Sequence, residues 1–139
     1  MELLDGDLEE IYGRDGFGYR PRYTPVMKAL STGTQRTIKD IAALSSISHS
    51  AASQTISKMM SEGLVEQTIG DDGRERMIGL TANGLELLPL LKARWKATRK
   101  AADQLDSELS TPLSSVLAEA IEALTARPFA DRIADQADQ

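Results

Sequence analysis

The order of apolar and polar positions divides the chain into a series of short elements. Leu4, Leu8 and Ile11 share one face of a short N-terminal helix. The stretch "YGRDGFGYRPRY", rich in glycine and carrying a proline, predicts an irregular connector. Thr24-Pro25 predicts an N-cap with proline in the first turn, opening a helix that runs to about Ser31. Thr37, with Asp40 three residues on, predicts the start of a helix with Ile38, Ile41, Ala42 and Leu44 on its apolar side. "SSIS" reads as a short turn, after which Ser48 caps another helix that ends at Gly63. Ala52, Ile56, Met59 and Met60 form the apolar face of that helix, and its methionines read as core filling. The pattern then switches to strand spacing. Leu64 to Ile69 and Arg74 to Leu80 predict a hairpin closed by "GDDG", residues 70–73.

Beyond Thr81 the period returns to helical. Leu91, Trp95, Thr98, Ala102, Leu105 and Leu109 repeat at alternating steps of four and three, a heptad-like seam. Pro89 predicts a kink in this segment. After Pro112, another helix sets Leu113, Val116, Leu117, Ala120, Ile121 and Leu124 on one stripe. Together with the N-terminal helix, these stripes offer more apolar surface than a small core can cover, which predicts a homodimer. The fold class that follows is mainly α with a small β-wing. A winged helix-turn-helix core over residues 24–81 is flanked by a helical dimerisation region, residues 1–20 and 82–139, within a single domain.

The helix after Ser48 carries the candidate chemistry. Its exposed side offers Ser48, His49, Ser50, Ser53, Gln54, Ser57 and Lys58, of which Lys58 alone holds a lasting positive charge. Two helices joined by a tight turn place the second in the DNA major groove, where base edges are read by hydrogen bonds. Serine and glutamine suit that task, and small side chains let the helix backbone come close. Attraction to phosphate then has to come from elsewhere. The hairpin supplies it, with Arg74 and Arg76 near its tip, and Arg36 and Lys39 can border the same surface.

At this point the chain resembles the MarR family of bacterial transcription regulators. The resemblance rests on "TIKDIAALSSISHSAASQTISKMMSEGLVEQ" and "DGRERMIGLTANG", and it is specific over residues 37–84. It implies a homodimer whose paired recognition helices bind a pseudo-palindromic operator, and a ligand-responsive repressor. It also carries the family's wing Asp-x-Arg onto Asp72 and Arg74, the aspartate holding the wing and the arginine reaching DNA. A small aromatic or phenolic effector is implied too, in a cleft that Tyr19, Tyr23 and Trp95 could line. This chain departs from the family pattern at Gln67, where a base is common, and at Met77-Ile78-Gly79, where the second wing strand lacks further bases.

Composition narrows the alternatives. Hydrophobic residues make up 41% of the 139-residue chain and charged residues 27%, as in an ordinary globular protein. There is no cysteine, which excludes disulfides and thiolate chemistry, and the single histidine, His49, has no nucleophile-base-orienter arrangement around it. No enzymatic activity, cofactor or metal is expected. The opening "MELLDGDLEE" lacks the basic-then-apolar order of a secretion signal, so a cytoplasmic location and no membrane association are expected. The net charge of −5 hides an uneven distribution: residues 1–19 sum to −5, residues 20–100 to +6 and residues 101–139 to −6. The positive middle holds the candidate DNA-contacting residues, and local field outweighs net charge when a protein meets a polyanion. The alternative function is a winged-helix module that binds protein and not DNA.

Overall fold

The computed structural model describes residues 6–7, 10–13 and 18–137. Leu4 and Leu8 lie outside the described residues, while residues 10–13 are helical, with Ile11 exposed and Tyr12 buried. The named elements begin with a 3-10 turn, Pro21–Tyr23, followed by helices α1 (Thr24–Leu30), α2 (Ile38–Ser45) and α3 (His49–Ser61). Strands β1 (Val65–Ile69) and β2 (Arg76–Leu80) follow, then helices α4 (Ala82–Glu108), α5 (Leu113–Ala126) and α6 (Phe129–Ala137). The architecture is mainly helical with one small antiparallel hairpin. The chain forms two compact units, Met1–Leu91 and Lys92–Gln139.

In the first unit α1, α2 and α3 surround a core of Val26, Met27, Leu30, Ile41, Ile56 and Met59, all 1% exposed or less. Complete burial of each such side chain contributes about 1.5–3 kcal/mol before the entropy of ordering is counted. The predicted caps on two of these helices form. Thr37 accepts a hydrogen bond from the Asp40 N–H, and Ser48 accepts one from the Ala51 N–H. Gly63 sits at φ 75°, the left-handed turn expected there, and the Leu64 N–H donates to the Met59 carbonyl.

Three positions differ from the sequence expectation. Thr24 is no N-cap. The 3-10 turn ends with Tyr23 already in helical geometry, so the chain runs straight into α1 and Thr24 is its first residue. The Thr24 hydroxyl instead shares a 2.8 Å hydrogen bond with the Tyr19 hydroxyl. Leu44 is 58% exposed, because the buried side of α2 centres on Ile41 and Ala42. Ile47, half-buried after the left-handed Ser46, supplies the next inward apolar side chain in its place. Met60 lies at the edge of the α3 core face and is 39% exposed, whereas Met59 is fully buried.

The hairpin is in register Val65↔Leu80 through Ile69↔Arg76. A short third strand joins it, where Arg36 and Ile78 exchange both backbone hydrogen bonds at 3.0 and 2.7 Å. Ile78 is consequently buried, and Gly79 lies against the Gln35 side chain. The hairpin is locked to α4 by Thr81. Its N–H donates to the Leu64 carbonyl, its hydroxyl donates to the Gly63 carbonyl, and the same hydroxyl accepts from the Gly84 N–H. The chains approach so closely here that a Cβ on Gly84 would run into the Leu64 carbonyl. Leu87, Leu88 and Leu91 then bury the inner side of the first turns of α4.

In the second unit Asp106 holds the corner between α4 and α5. Its carboxylate accepts from the Ser114 hydroxyl at 2.5 Å and from the Ser114 N–H at 3.3 Å. Those bonds, the hydroxyl first, lower the Asp106 pKa from its ordinary value. Arg132 of α6 donates to the carbonyls of Ala123 and Arg127, closing the C-terminal end of α5, and Arg127 pairs with Asp135. The stripe of α5 stands open: Leu113, Val116, Leu117, Ile121 and Leu124 are 36–65% exposed, as are Phe129 and Ile133 of α6 at 66% and 57%. Along the heptad-like seam Leu91 is buried, Trp95 and Leu105 are half-buried, and Thr98, Ala102 and Leu109 are exposed. Helix α4 continues through Pro89.

Candidate nucleic-acid interface

Helix α3 presents two opposed faces. At 3.6 residues per turn, Ser50, Gln54 and Ser57 stand opposite the buried Ala52, Ile56 and Met59. His49, Ser53 and Lys58 flank them, and all six side chains are exposed or half-exposed. Ser48 is at the start of the helix with its hydroxyl held as the cap, so it is engaged with the backbone. Lys58 lies 3.8 Å from Glu62 one turn on, a loose exposed pair that leaves the lysine able to turn to another anion. The exposed side of α3 is therefore rich in short donors and acceptors with little fixed charge.

The wing tip is shaped by Asp72. Its carboxylate accepts hydrogen bonds from the backbone N–H groups of Arg74, at 3.0 Å, and Glu75, at 3.2 Å. These two bonds, that from Arg74 first, lower the Asp72 pKa. Gly73 takes φ 71°, which closes the turn, and the Gly70 N–H reaches the Glu75 carbonyl at 2.7 Å. Arg74 and Arg76 project exposed from this tip and from the first residue of β2. Lys39 is exposed in the first turn of α2.

Arg36 does different work from that expected of a surface base. It is half-buried, its backbone is the third strand of the wing sheet, and its Nε donates to the Ala29 carbonyl at 2.9 Å. It fixes the wing to the end of α1. The aromatic residues also divide. Tyr19 and Tyr23 are buried and pack edge to face at 5.8 Å, and Tyr12 stacks on Tyr19 at 4.8 Å. Burial, then the neighbouring Glu62, raises the Tyr23 phenol pKa, with Arg22 opposing. Tyr19 also lines an open hollow of about 270 Å³ with Gly18, Arg20 and Pro21. Trp95 belongs to the second unit.

Two features escaped sequence reasoning. The Gln35–Arg36 strand is a single bridge with no periodicity to read. The Thr81–Gly84 clamp left one signal, a glycine in the first turn of a long helix, where a better helix former is the ordinary choice.

Three helices, a hairpin on the third, and a two-base wing tip define a winged helix-turn-helix protein. The MarR family model matches residues 17–75, from the connector before α1 to the wing tip. No protein of curated function matches the chain in sequence. Among solved structures, the fold is similar to that of the transcriptional regulator SlyA, with a TM-score of 0.67 at 13% identity, covering 90% of this chain and 86% of that one. A MarR family transcriptional regulator from Silicibacter pomeroyi gives a TM-score of 0.59 at 17% identity, covering 91% and 80%. A variant of Lactococcus lactis ZitR gives 0.57 at 17% identity, covering 77% and 73%. The chain belongs to the MarR family of winged-helix transcription regulators. No helix among the described residues is long and apolar enough to cross a membrane.

Proposed function

We propose that the chain is a sequence-specific regulator that binds double-stranded DNA as a cytoplasmic homodimer, with α3 in the major groove and the wing on the adjacent backbone or minor groove. The observation that carries this reading is the pairing of a neutral hydrogen-bonding face, Ser50, Gln54 and Ser57, with a wing tip that Asp72 folds so that Arg74 stands free of the sheet. Base choice belongs to the first group and phosphate attraction to the second, together with Lys39, Lys58 and Arg76. The open apolar stripe of α5 and α6 supports self-association, since a stripe of this extent left in water favours aggregation. A homodimer presents two copies of α3, so the operator is an inverted repeat with half-sites roughly 34 Å apart. Such an operator suits a repressor responsive to a small effector.

Selection of bound sequences from a random duplex library tests the reading, followed by two variants. Arg74→Ala weakens binding to the selected and to unrelated duplexes alike and flattens the dependence of log affinity on log salt by about one unit for each phosphate no longer neutralised. Gln54→Ala costs about 1–3 kcal/mol on the selected site, little on unrelated DNA, and leaves the salt slope unchanged. Folded Arg74→Ala protein that binds every duplex as well as the parent, with no motif recovered from the library, refutes it in favour of a protein-binding winged helix.

A further inference from the structure

A cleft of about 450 Å³ opens between α1 and α2, inside the first unit and apart from the exposed face of α3. Its lining is unusual in composition. Pro25, Ala29 and Leu44 make an apolar floor, Thr24, Thr32 and Ser45 contribute hydroxyls, and Lys28 and Arg36 contribute positive charge. Among the described residues, no acidic side chain lines it. The Ser45 hydroxyl ties the two walls together by donating to the Pro25 carbonyl at 3.3 Å. Leu44, 58% exposed on a helix that buries Ile41 and Ala42, puts an apolar side chain at the cleft that the core does not use.

Arg36 makes this more than a surface hollow. Its Nε is anchored on the Ala29 carbonyl, which fixes the plane of the guanidinium within the cleft lining. A guanidinium held through one nitrogen keeps its two terminal nitrogens in the forked geometry that meets a carboxylate. The backbone of the same residue exchanges two hydrogen bonds with Ile78 in the wing. The neighbouring Gln35 accepts from the Thr68 hydroxyl of β1 and covers Gly79 of β2. One short segment thus borders the cleft and carries both strands of the wing.

The geometry points to a binding site for a small organic acid, its carboxylate held by Arg36 and Lys28, its apolar tail on Pro25, Ala29 and Leu44, and its presence read by the wing through the Arg36–Ile78 bridge. An effect on operator affinity rests on the proposed function above. Ligand binding does not, so the test uses no DNA.

Full-length ¹⁵N-labelled protein is titrated with sodium hexanoate at constant ionic strength, with hexanol as the uncharged match and chloride as the simple anion. Hexanoate shifts the amides of Ala29, Arg36, Leu44 and Ser45 along one saturating curve, and the Ile78 amide, which donates to Arg36, follows the same curve. Hexanol and chloride give no saturating change at these positions. Leu44→Asp, a substitution at an exposed side chain, sets a carboxylate in the cleft and weakens hexanoate binding at least about tenfold while the thermal midpoint holds. Lys28→Gln weakens it about three- to tenfold. Equal binding of hexanol, saturation mapped to other residues, or unchanged affinity in folded Leu44→Asp each overturns the site. A filled cleft with a stationary Ile78 amide overturns the coupling.

Discussion

Replacing Gly84 by alanine tests whether tertiary packing overrides helix propensity at the junction of wing and α4. In an exposed helix interior the change is favourable by about 1 kcal/mol, since alanine loses less backbone entropy than glycine. At Gly84 the new Cβ meets the Leu64 carbonyl, which is backbone and cannot rotate aside. The first turn of α4 must therefore move off the hairpin. That motion strains two hydrogen bonds, from the Thr81 N–H to Leu64 at 3.1 Å and from the Thr81 hydroxyl to Gly63 at 2.5 Å. Each contributes about 1 kcal/mol net. Overpacking a fitted junction costs about 1–3 kcal/mol more, and the displacement loosens Leu87 and Leu88, each 7% exposed. Set against the propensity gain, the net loss is about 2–4 kcal/mol, a drop of roughly 6–12 °C in the midpoint for a chain of this size. Guanidinium and thermal unfolding measure it, at one protein concentration because association shifts the midpoint. Asn83→Ala is the control. It lies in the same turn, is exposed, and gains a few tenths of a kcal/mol from propensity alone. If Gly84→Ala is as stable as the parent, or gains as Asn83→Ala does, the close approach is not a constraint and the argument from it fails.

Three further outcomes follow from individual side chains. Thr37→Ala removes the hydrogen bond that caps α2 and lowers stability by about 1 kcal/mol in denaturant unfolding; an unchanged midpoint contradicts the capping role. Asp72 has a lowered pKa in the folded wing, so the order it confers is present at neutral pH and is lost as pH falls through that depressed value. Amide exchange at Arg74 and Glu75 reports this directly, accelerating below the ordinary carboxylate range in the parent and at every pH in Asp72→Ala. Ile121→Glu places a charge on an α5 side chain that is 65% exposed within one chain, so it leaves the monomer fold intact and dissociates the proposed dimer; light scattering that still finds a dimer moves the interface elsewhere.

How far the fold was legible depended on whether a signal was local. Thr37, Ser48 and Gly63 act within one turn of themselves, and all three do what their chemistry predicts. The "GDDG" turn is legible for the same reason. Thr24 misled because the cap signal assumes an extended residue ahead of the helix, and here the 3-10 turn delivers Tyr23 already helical. Leu44 misled because periodicity finds an apolar residue near the inner side without saying where the neighbouring helix lies. Of the candidate site, the exposed side of α3 and the Asp72 turn could be read from spacing. The role of Arg36 could not, because a basic residue in a loop looks the same whether it faces solvent or anchors a strand.

The same distinction accounts for the departure in the second wing strand. Read as a DNA-binding segment, Met77-Ile78-Gly79 lacks the bases that the family pattern leads one to expect. The third strand supplies the physical reason. Ile78 is fully buried because its backbone is paired with Arg36 on one side and Gln67 on the other, making it the centre of a three-stranded sheet. Gly79 is buried because the Gln35 side chain crosses it, with the nearest atom 3.1 Å from where a Cβ would stand. A lysine or arginine at either position would bury a charge or displace Gln35, and an unpaired buried charge is among the costliest changes a fold can suffer. The bases are therefore confined to positions 74 and 76, before the sheet becomes three strands wide. This wing attracts DNA through its tip alone, which makes Arg74 the residue where removal of charge has the clearest consequence.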